Sequence, residues 1–393
     1  MQYRTNEKNG DSLSVLGFGC MRFTKKGNSI DQEKAESEMK RAMDLGVNYF
    51  DTAYTYAGSE ECLGKFIERY DCRDKIKIAT KLPQYYVKRS EDFDTYFNEE
   101  LKRLKTDYVD YYLLHMLNDA SSFERLCELG LKEWIKSKKD AGQIRNIGFS
   151  FHGGTAKFIE LIDAYDWEFA QVQFNYVDEH SQAGIEGIRY ANKKGIPIII
   201  MEPLRGGRLA NNLPAEALKQ FDSGGPRRTP ADWGLRWIWN HPEINVVLSG
   251  MNDVSQIEEN VRIASEATPG SLSAGELAVY ARVLEVLNKS IRVGCTGCGY
   301  CQPCPQGVDI PGCFSAYNHT YTDRYSVGFR EYFMCTTLRR NRTNAGRCIE
   351  CGKCENVCPQ SIPIRAELKN VKKRLENPVF KVVAWFAGKS MKY

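Results

Sequence analysis

Cysteine spacing is the strongest chemical signal in this chain of 393 residues. Near its carboxyl end, two cysteines follow a first at intervals of three residues, and a fourth comes four residues later, directly before a proline. These four are Cys348, Cys351, Cys354 and Cys358. A zinc site usually pairs one C-x2-C with another about a dozen residues away, whereas this even spacing suits four thiolates around a [4Fe-4S] cluster. The run therefore predicts an iron–sulfur cluster.

A similar run of cysteines lies earlier in the chain. It consists of Cys295, Cys298, Cys301 and Cys304, with one residue fewer before the last cysteine. Both runs resemble those of two-cluster ferredoxins, in which the fourth cysteine of each run binds the cluster of the other run. By that resemblance, Cys358 completes the first cluster and Cys304 completes the second. We therefore predict two [4Fe-4S] clusters with exchanged fourth ligands.

The 43 residues between the two runs are rich in aromatic side chains and too long for a minimal ferredoxin repeat. They favour a mostly helical two-cluster domain. Cys313 and Cys335 lie within this connection. We expect both to be ordinary buried thiols, and the replacement of a predicted ligand by either one stays open.

A second group of reactive side chains follows apolar segments that are typical of β-strands. Asp51 ends the second such segment, Lys81 the third and His115 the fourth. Tyr56 lies five residues after Asp51. Singly, such residues usually cap a loop, reach solvent or satisfy a local hydrogen bond. Because adjacent strand ends of a closed barrel converge on one small volume, the four together form a candidate catalytic centre.

The elements that must position these residues alternate along the chain from about residue 14 to 265. A predicted helix at 30–45 has apolar residues at helical spacing, and Gly46 ends it. Eight strands alternating with helices over roughly 250 residues predict an α/β fold, a (β/α)8 TIM barrel. A doubly wound Rossmann sheet would need G-x-G-x-x-G, of which Leu16–Cys20 has only the first two glycines. The predicted strands are Ser14–Cys20, Val47–Phe50, Lys75–Lys81, Tyr108–His115, Ile144–Ser150, Phe169–Asn175, Ile196–Pro203 and Ile244–Ser249.

Cysteines and charges both divide the chain near residue 290. Ten of the 14 cysteines lie between residues 295 and 358, and residues 291–393 carry 16 Lys and Arg against 7 Asp and Glu. The net charge is therefore +9 for this part and −5 for the rest. The predicted domains are a barrel at 1–290, a ferredoxin-like two-cluster domain at 291–363 and a helical tail at 364–393. A helix at Ser273–Lys289 leads from the barrel into the cysteine-rich part.

The tail contains a short apolar segment at residues 380–388. Because the segment is so short, we expect it to pack onto the protein's own surface. An anchor on a membrane surface is the alternative.

Six segments of the first 265 residues, in order, resemble the signatures of the aldo/keto reductase family. They are Leu16–Arg22, Phe50–Tyr56, Ala79–Lys81, Leu113–His115, Ile147–Ser150 and the stretch from Ser249 to Asn260. The resemblance implies a (β/α)8 barrel that binds a nicotinamide nucleotide without a Rossmann motif. It also implies a catalytic tetrad of Asp51, Tyr56, Lys81 and His115.

The chemistry of each tetrad member explains its implied role. A free phenol has a pKa of about 10, so Tyr56 could protonate a nascent alkoxide. We expect the Lys81 cation to lower that pKa and Asp51 to hold Lys81 in an ion pair. His115 would donate to the substrate carbonyl and orient it towards the hydride donor.

The resemblance also implies cofactor contacts. Ser150 and Gln173 match residues that hold the nicotinamide carboxamide, although Phe151 stands where the family has Asn. Met201 stands where a tyrosine commonly stacks on the nicotinamide ring. The loop at 205–208 suits a pyrophosphate, because its glycines allow close approach and its arginines supply charge. The implied contacts are Ser150, Gln173, Met201, Arg205, Gly206, Gly207, Gln256 and Asn260.

Cofactor preference is a separate matter from cofactor binding. The basic pair that binds the adenosine 2′-phosphate in many NADPH-dependent members is replaced by Gly250 and Gln256. Asn260 remains as the adenine contact. The resemblance thus implies NAD(P)H as cofactor but does not predict a preference for NADPH.

We interpret the chain as a two-domain oxidoreductase that reduces a small carbonyl compound or oxidises an alcohol, while its clusters exchange electrons with a partner. Clusters transfer single electrons and nicotinamides transfer a hydride, so a flavin-mediated electron-transfer enzyme is one alternative. The other is a nucleotide-binding regulatory or sensory barrel with structural clusters. An acidic carrier such as ferredoxin or flavodoxin would suit the basic C-terminal part, and no nucleic acid is expected.

The sequence shows no segment of membrane-spanning character. No apolar region follows the charged N-terminal residues, and no apolar run is long enough to cross a bilayer. We expect a cytoplasmic protein without a membrane span.

Overall fold

A closed barrel of eight parallel strands forms the larger part of the computed structural model, which describes residues 1–223, 225–289, 291–295, 297, 299–358 and 360–390. The strands of these residues are β1 (Tyr3–Thr5), β2 (Ser12–Ser14), β3 (Leu16–Gly19), β4 (Lys25–Lys26), β5 (Ser29–Ile30), β6 (Tyr49–Asp51), β7 (Lys77–Leu82), β8 (Val109–Leu114), β9 (Ile144–Phe151), β10 (Phe169–Gln173), β11 (Ile198–Met201) and β12 (Ile244–Ser249). The barrel order is β10-β11-β12-β3-β6-β7-β8-β9, and β1–β2 and β4–β5 are antiparallel hairpins. All eight predicted strands are barrel strands, which confirms the predicted fold class.

Aromatic side chains fill the interior of the barrel. The rings of Tyr49 and Tyr111 lie 5.2 Å apart between centroids, and those of Tyr111 and Phe169 lie 5.0 Å apart. Tyr111 also donates a hydrogen bond of 2.8 Å to Asp11 in the N-terminal hairpin connection. The interior is therefore a packed core rather than a channel, and the reactive groups are confined to the carboxyl ends of the strands.

Helices surround the barrel on its outer face. They are α1 (Gln32–Asp44), α2 (Ser59–Tyr70), α3 (Glu91–Leu104), α4 (Ala120–Glu128), α5 (Leu131–Asp140), α6 (Thr155–Asp163), α7 (Gly184–Lys193), α8 (Arg208–Asn211), α9 (Ala215–Ser223), α10 (Pro230–Trp239), α11 (Val254–Glu266) and α12 (Ala274–Asn288). Asp31 caps α1 by accepting from the backbone N–H of Lys34, and Ser273 and Glu276 form a capping box at α12. Both helices expected from the sequence are thus present.

The C-terminal part is helical and has a core of its own. Its helices are α13 (Ile310–Thr322), α14 (Tyr325–Thr336), α15 (Lys353–Asn356), α16 (Ile364–Leu375) and α17 (Pro378–Ser390). The core includes Phe314, Tyr332, Leu368 and Val371. Because the last two of these belong to α16, the expected tail packs together with the cysteine-rich part.

This C-terminal part lies over the carboxyl end of the barrel. Arg339 donates to the backbone carbonyl of His152 at 3.4 Å, and Asp323 lies 3.3 Å from the guanidinium of Arg205. An apolar cluster also joins the two parts and consists of Tyr85, Met116, Leu338 and Ala387. Helices α13, α14 and α17 and the residues directly after α13 and α14 therefore cover the mouth of the barrel. We call them its roof.

In the part of the chain that the structure describes, none of the helices has the length and apolar character needed to cross a bilayer.

One carboxyl group in the helix layer makes the barrel's stability depend on pH. Glu38 of α1 is buried, and burial raises its pKa to about 7, with Lys34 opposing the rise and Asp253 and Asp31 adding to it. An unfolded glutamate has a pKa of about 4.3. Between that value and pH 7 the folded state holds a proton that the unfolded state has lost, so the free energy of unfolding falls as pH rises.

We therefore expect Glu38→Gln to raise the melting temperature more at pH 8 than at pH 5. Glu33→Gln is the matched control, because Glu33 lies in the same helix but is exposed. Thermal unfolding followed by circular dichroism at the two pH values measures the difference. An equal gain at both pH values would contradict an ionisable Glu38 with a raised pKa.

Candidate active site

Three neighbouring strands bring three of the four predicted catalytic residues to one edge of the barrel. Asp51 ends β6, Lys81 lies near the end of β7, and His115 directly follows β8. Tyr56 is held in the loop after β6 by two tight turns, in which its N–H donates to Ala53 and its carbonyl accepts from Ser59, each at 2.9 Å. The strand-end positions and this short loop together gather the four residues.

Lys81 and Asp51 form a buried ion pair at the base of the site. The Lys81 Nζ donates to Asp51 Oδ1 and to the carbonyl of Thr52, both at 2.6 Å, and Lys81 is only 1% exposed. The second carboxylate oxygen of Asp51 accepts from Gln171 at 2.9 Å. The Lys81 ammonium and the Asp51 carboxylate are buried away from water, and both have hydrogen-bond partners. These bonds hold the pair in one geometry.

Tyr56 and His115 lie next to this ion pair. The Lys81 Nζ is 5.1 Å from the centroid of the Tyr56 ring. The rings of Tyr56 and His115 meet edge to face, with centroids 6.0 Å apart, and Tyr85 flanks His115 at 6.1 Å. The structure thus brings together an acid, a cation, a phenol and an imidazole, as the strand-end argument predicts.

The pKa of Tyr56 differs from the expectation. Burial raises it well above its ordinary value, the carboxylates of Asp51 and Glu202 add to the rise, and Arg330 opposes it. Burial and these carboxylates therefore outweigh any lowering of the pKa by the Lys81 cation. The physical reason is that Asp51 neutralises the lysine charge at 2.6 Å, whereas burial of the phenol is uncompensated.

His115 is held in its neutral form. Burial lowers its pKa well below the usual value, and the Lys81 cation and His152 lower it further. Its Nδ1 has no hydrogen-bond partner among the described residues. A neutral imidazole can still donate one hydrogen bond, so the role of carbonyl donor is compatible with this environment.

Two predicted contacts of the nicotinamide carboxamide lie close to the tetrad. Ser150 is buried, and its hydroxyl oxygen accepts from the backbone N–H of Met116 at 2.9 Å. Gln173 donates to Asp178 at 2.5 Å, while its Oε1 is buried without a partner among the described residues. An orphaned acceptor and a hydroxyl on the neighbouring strands β10 and β9 suit a primary amide, so these two residues fit a nicotinamide.

The remaining predicted contacts follow the next two strands. Met201 ends β11 and is half-buried, and Gly206 and Gly207 have positive φ angles of 67° and 89°. Asn260 is buried and donates to Ser249 at 3.1 Å. Gln256 is exposed and accepts from the backbone of Asn252 at 3.2 Å. These residues lie at the end of β11, in the loop that follows it and in α11.

Arg205 and Arg208 both form ion pairs with acidic residues. Arg205 donates through Nε to Asp178 at 2.8 Å and through a second nitrogen to the other oxygen of the same carboxylate. Burial alone would raise the pKa of Asp178, but Arg205 holds it well below its usual range. Asp323 lies 3.3 Å from each arginine, and His319 also contacts Arg205. The sequence offers no sign of this network, because two of its members come from the roof.

Three candidate functional residues were not predicted from the sequence. Arg22 lies across Gly206 and Gly250, where a Cβ on Gly206 would stand 2.5 Å from its guanidinium. Gln171 positions Asp51, and its signal was a polar residue within an apolar strand. The positive charge of Arg330, in α14 of the roof, lowers the pKa of Tyr56 and of His152. Within the described residues neither Arg22 nor Arg330 forms an ion pair.

Two cysteines of the first run and the last cysteine of the second run line one small cavity. Cys295, Cys301 and Cys358 line it, together with apolar side chains that include Ile310 and Phe314. Cys298 lies outside the described residues. Thiols and apolar walls around one cavity suit a thiolate-bound cluster, although no three metal-ligating side chains come together among the described residues.

The second group of thiols is arranged in the complementary way. Burial raises the pKa of Cys354, and Glu355, Cys348 and Cys304 raise it further through their charges. Cys304 thus lies near the second run rather than at the cavity of its own run. Cys351 is exposed, whereas Cys313 and Cys335 are both buried away in helices α13 and α14.

Two family models match the chain. The model of the aldo/keto reductase family matches residues 15–269, and that of a 4Fe-4S dicluster domain matches residues 294–362. The L-galactose dehydrogenase of Arabidopsis thaliana is 26% identical over 311 residues, which are 72% of this chain and 95% of that protein. The NADP(+) aldo-keto reductase yakc of Schizosaccharomyces pombe is 25% identical over 290 residues, covering 70% and 78%.

Solved structures share the fold. The holo form of an aldo-keto reductase from Bacillus halodurans superposes with a TM-score of 0.59 at 24% identity, covering 72% of this chain and 96% of that one. An aldo-keto reductase from Klebsiella pneumoniae in complex with NADPH gives 0.60 at 22% identity, covering 72% and 95%. Since the first family model spans well over half of the 393 residues, the chain belongs to the aldo/keto reductase family and is an oxidoreductase.

Proposed function

We propose that this oxidoreductase reduces the carbonyl group of a small molecule, or oxidises the corresponding alcohol, with NADH or NADPH bound across the carboxyl ends of its strands. The observation that carries the proposal is the convergence of Asp51, Lys81, Tyr56 and His115. Of these, Tyr56 is partly exposed, while the Lys81–Asp51 pair is buried. This arrangement suits proton transfer to an oxygen held between a phenol and an imidazole.

In this proposal each residue has one task. His115 donates a hydrogen bond to the substrate oxygen and sets its orientation, which its neutral form allows. Tyr56 donates its proton to the same oxygen as negative charge develops there. Lys81 attracts the phenolate that remains, and Asp51 holds Lys81 in place at 2.6 Å. A nicotinamide held at this edge of the barrel would supply the hydride.

The raised pKa of Tyr56 determines whether this residue donates or accepts a proton more readily. A phenol that stays protonated near neutral pH is ready to donate to an alkoxide but accepts a proton from an alcohol poorly. Tyr56 is therefore suited to protonate the oxygen of a carbonyl that is being reduced.

The nucleotide would be held by residues on the same edge of the barrel. Gln173 and Ser150 suit the carboxamide, and Asn260 suits the adenine end. Arg22 offers a cation beside Gly206 for the phosphates, since Asp178 and Asp323 occupy Arg205. Nothing in this set selects NADPH over NADH, and equilibrium binding of each to the cluster-loaded protein tests the assignment.

Tyr56→Phe should lower the rate of carbonyl reduction by about 10²–10⁴-fold, because it removes the proton donor and leaves the ring in place. Initial rates with an aldehyde series and NADH or NADPH measure the effect, and the visible absorbance of the clusters should not change. Tyr54→Phe is the matched control, because Tyr54 lies in the same loop but packs against Tyr96 and Arg103. An unchanged rate in the Tyr56 variant would favour a regulatory or sensory barrel, or other catalytic residues.

For the C-terminal part we propose two [4Fe-4S] clusters that exchange electrons with an external carrier. One would be bound by Cys295, Cys298, Cys301 and Cys358, and the other by Cys348, Cys351, Cys354 and Cys304. Each cluster, when bound, stores one electron at a time. The apolar cavity supports the first assignment, and the proximity of Cys304 to Cys354 supports the second.

The surface near the second cluster favours a small redox partner. Cys351 is exposed, and the neighbouring Ile349 and Val357 expose 61% and 50% of their surfaces. Exposed apolar side chains beside a redox centre allow close approach of a carrier. The net charge of +9 in residues 291–393 suits an acidic one such as ferredoxin or flavodoxin.

One anaerobic preparation tests these assignments together. Iron content, flavin fluorescence after extraction, and reduction by NADH, NADPH, dithionite and reduced ferredoxin are each scored. A flavin in the extract would make it the intermediary between hydride and one-electron transfer. Turnover with a colourless extract would exclude the flavin, and clusters that ferredoxin fails to reduce would exclude that carrier.

A further inference from the structure

The last helix presents an apolar face to solvent. Five large apolar side chains of α17 are exposed, among them Trp385 at 55% and Phe386 at 61% of their surfaces. The five are Val379, Val382, Val383, Trp385 and Phe386. Four of them recur at positions i, i+3, i+4 and i+7, which places them on one face of a helix. Packing onto the protein's own surface, as expected from the sequence, accounts for only part of this helix.

The other face of α17 anchors it firmly. Phe380 is buried, and its ring lies 5.8 Å from that of Tyr332 and 5.9 Å from that of Phe333. Arg342 donates to the carbonyl of Ala384 at 3.1 Å, and Ala387 belongs to the apolar cluster at the domain junction. The exposed face is therefore carried by a helix that the rest of the protein holds in position.

The charges of α17 are all positive. Lys381 and Lys389 are exposed, no acidic residue occurs from 378 to 390, and the Lys389 Nζ lies 3.9 Å above the Trp385 ring. Tryptophan and phenylalanine beside lysine are typical of helices that lie in the interface of a membrane. Lysines near an anionic lipid surface add to such binding.

We propose that α17 binds peripherally to the surface of an anionic lipid bilayer, with its five exposed apolar side chains in the headgroup region and its lysines on lipid phosphates. A second copy of the chain fits less well. In a two-fold interface the same helix faces itself, which would bring four lysines together without an acidic partner. Anionic headgroups neutralise these charges.

Binding would have a consequence for the active site. Ala387 at the end of α17 packs with Tyr85 and Met116, and the Tyr85 ring flanks His115 at 6.1 Å. The helix that binds the surface would thus lie next to Tyr85 and Met116, the neighbours of His115.

Sedimentation of the full-length, cluster-loaded protein with vesicles tests the proposal. We expect binding to vesicles of phosphatidylglycerol and phosphatidylcholine, and roughly 30-fold weaker binding to phosphatidylcholine alone, since two lysines lose their partners. Trp385→Ser with Phe386→Ser should abolish binding, and Lys381→Gln with Lys389→Gln should reduce it to the level of the neutral vesicles. Leu277→Ser is the control, because Leu277 is 44% exposed on the distant helix α12.

The variants are all at exposed positions, and unchanged cluster absorbance verifies that they fold. Failure to bind anionic vesicles, or binding that the Trp385 and Phe386 substitutions leave intact, would overturn the proposal. Sedimentation velocity without lipid would overturn it in favour of a second copy if it showed a dimer that these substitutions dissociate. Because the assay counts bound protein and not turnover, its result is independent of the proposed activity.

Discussion

Lys81→Met is expected to lower the free energy of unfolding of the barrel by about 3–5 kcal/mol and to abolish carbonyl reduction. Lys81 is 1% exposed, and its ammonium lies 2.6 Å from Asp51. Without the cation, the carboxylate stays buried with Gln171 as its remaining side-chain partner. An uncompensated buried charge is among the few single changes that destabilise a protein this strongly.

Lys77→Met on the same strand is the matched control. Lys77 pairs with Asp11 at 2.7 Å, but its side chain is 25% exposed, so we expect a loss of about 1 kcal/mol or less. Chemical unfolding followed by tryptophan fluorescence measures both variants. This signal reports mainly on the barrel, because every tryptophan except Trp385 precedes residue 240.

A double variant separates stability from catalysis. Asp51→Asn combined with Lys81→Met removes both charges, so most of the lost stability should return while activity should not. A Lys81→Met protein as stable as wild type would show that Asp51 is not held as a charged partner in the folded state. Recovery of activity in the double variant would remove the ion pair from the proposed mechanism.

Pairs of cysteine substitutions should distinguish exchanged ligands from ligands of a single run. If the fourth ligands are exchanged, Cys301→Ser with Cys358→Ser damages one cluster and leaves about four irons per chain. Cys301→Ser with Cys304→Ser damages both clusters and leaves almost none. If each run instead bound its own cluster, these two results would be reversed.

Iron content and electron paramagnetic resonance of the reduced protein measure the outcome. Cys313→Ser and Cys335→Ser serve as controls, since both thiols are buried in helices of the same domain. Both controls should keep the full iron content. Loss of a cluster in either one would make that cysteine a ligand and would displace one of the eight predicted here.

The strand-end residues of the barrel and the chemistry of the cysteines could be predicted from local patterns in the sequence. Apolar runs of strand length place Asp51, Lys81 and His115 at strand ends, and closure of a parallel barrel brings neighbouring strand ends together whatever the details of packing. Cysteine intervals of three and four residues are likewise local constraints on what the thiolates can bind. These features depend on spacing along the chain, so they survive without coordinates.

Contacts between the two parts of the chain could not be predicted in this way. Arg205 looked like a phosphate contact because its loop is glycine-rich, yet Asp178 and the distant Asp323 occupy it. The pKa of Tyr56 likewise depends on burial beneath the roof and on charges as far away in sequence as Arg330.

The pattern of residues thus determines the fold and predicts the tetrad and the cluster ligands, since each follows from short intervals or from the geometry of a closed barrel. Tertiary structure decides which cations remain available to a cofactor, that the pKa of Tyr56 is raised, and that one face of α17 stays exposed. Those properties arise from burial and from charges that meet across more than a hundred residues, as Arg205 and Asp323 do. Desolvation and long-range pairing have no signature in the spacing of residues along the chain.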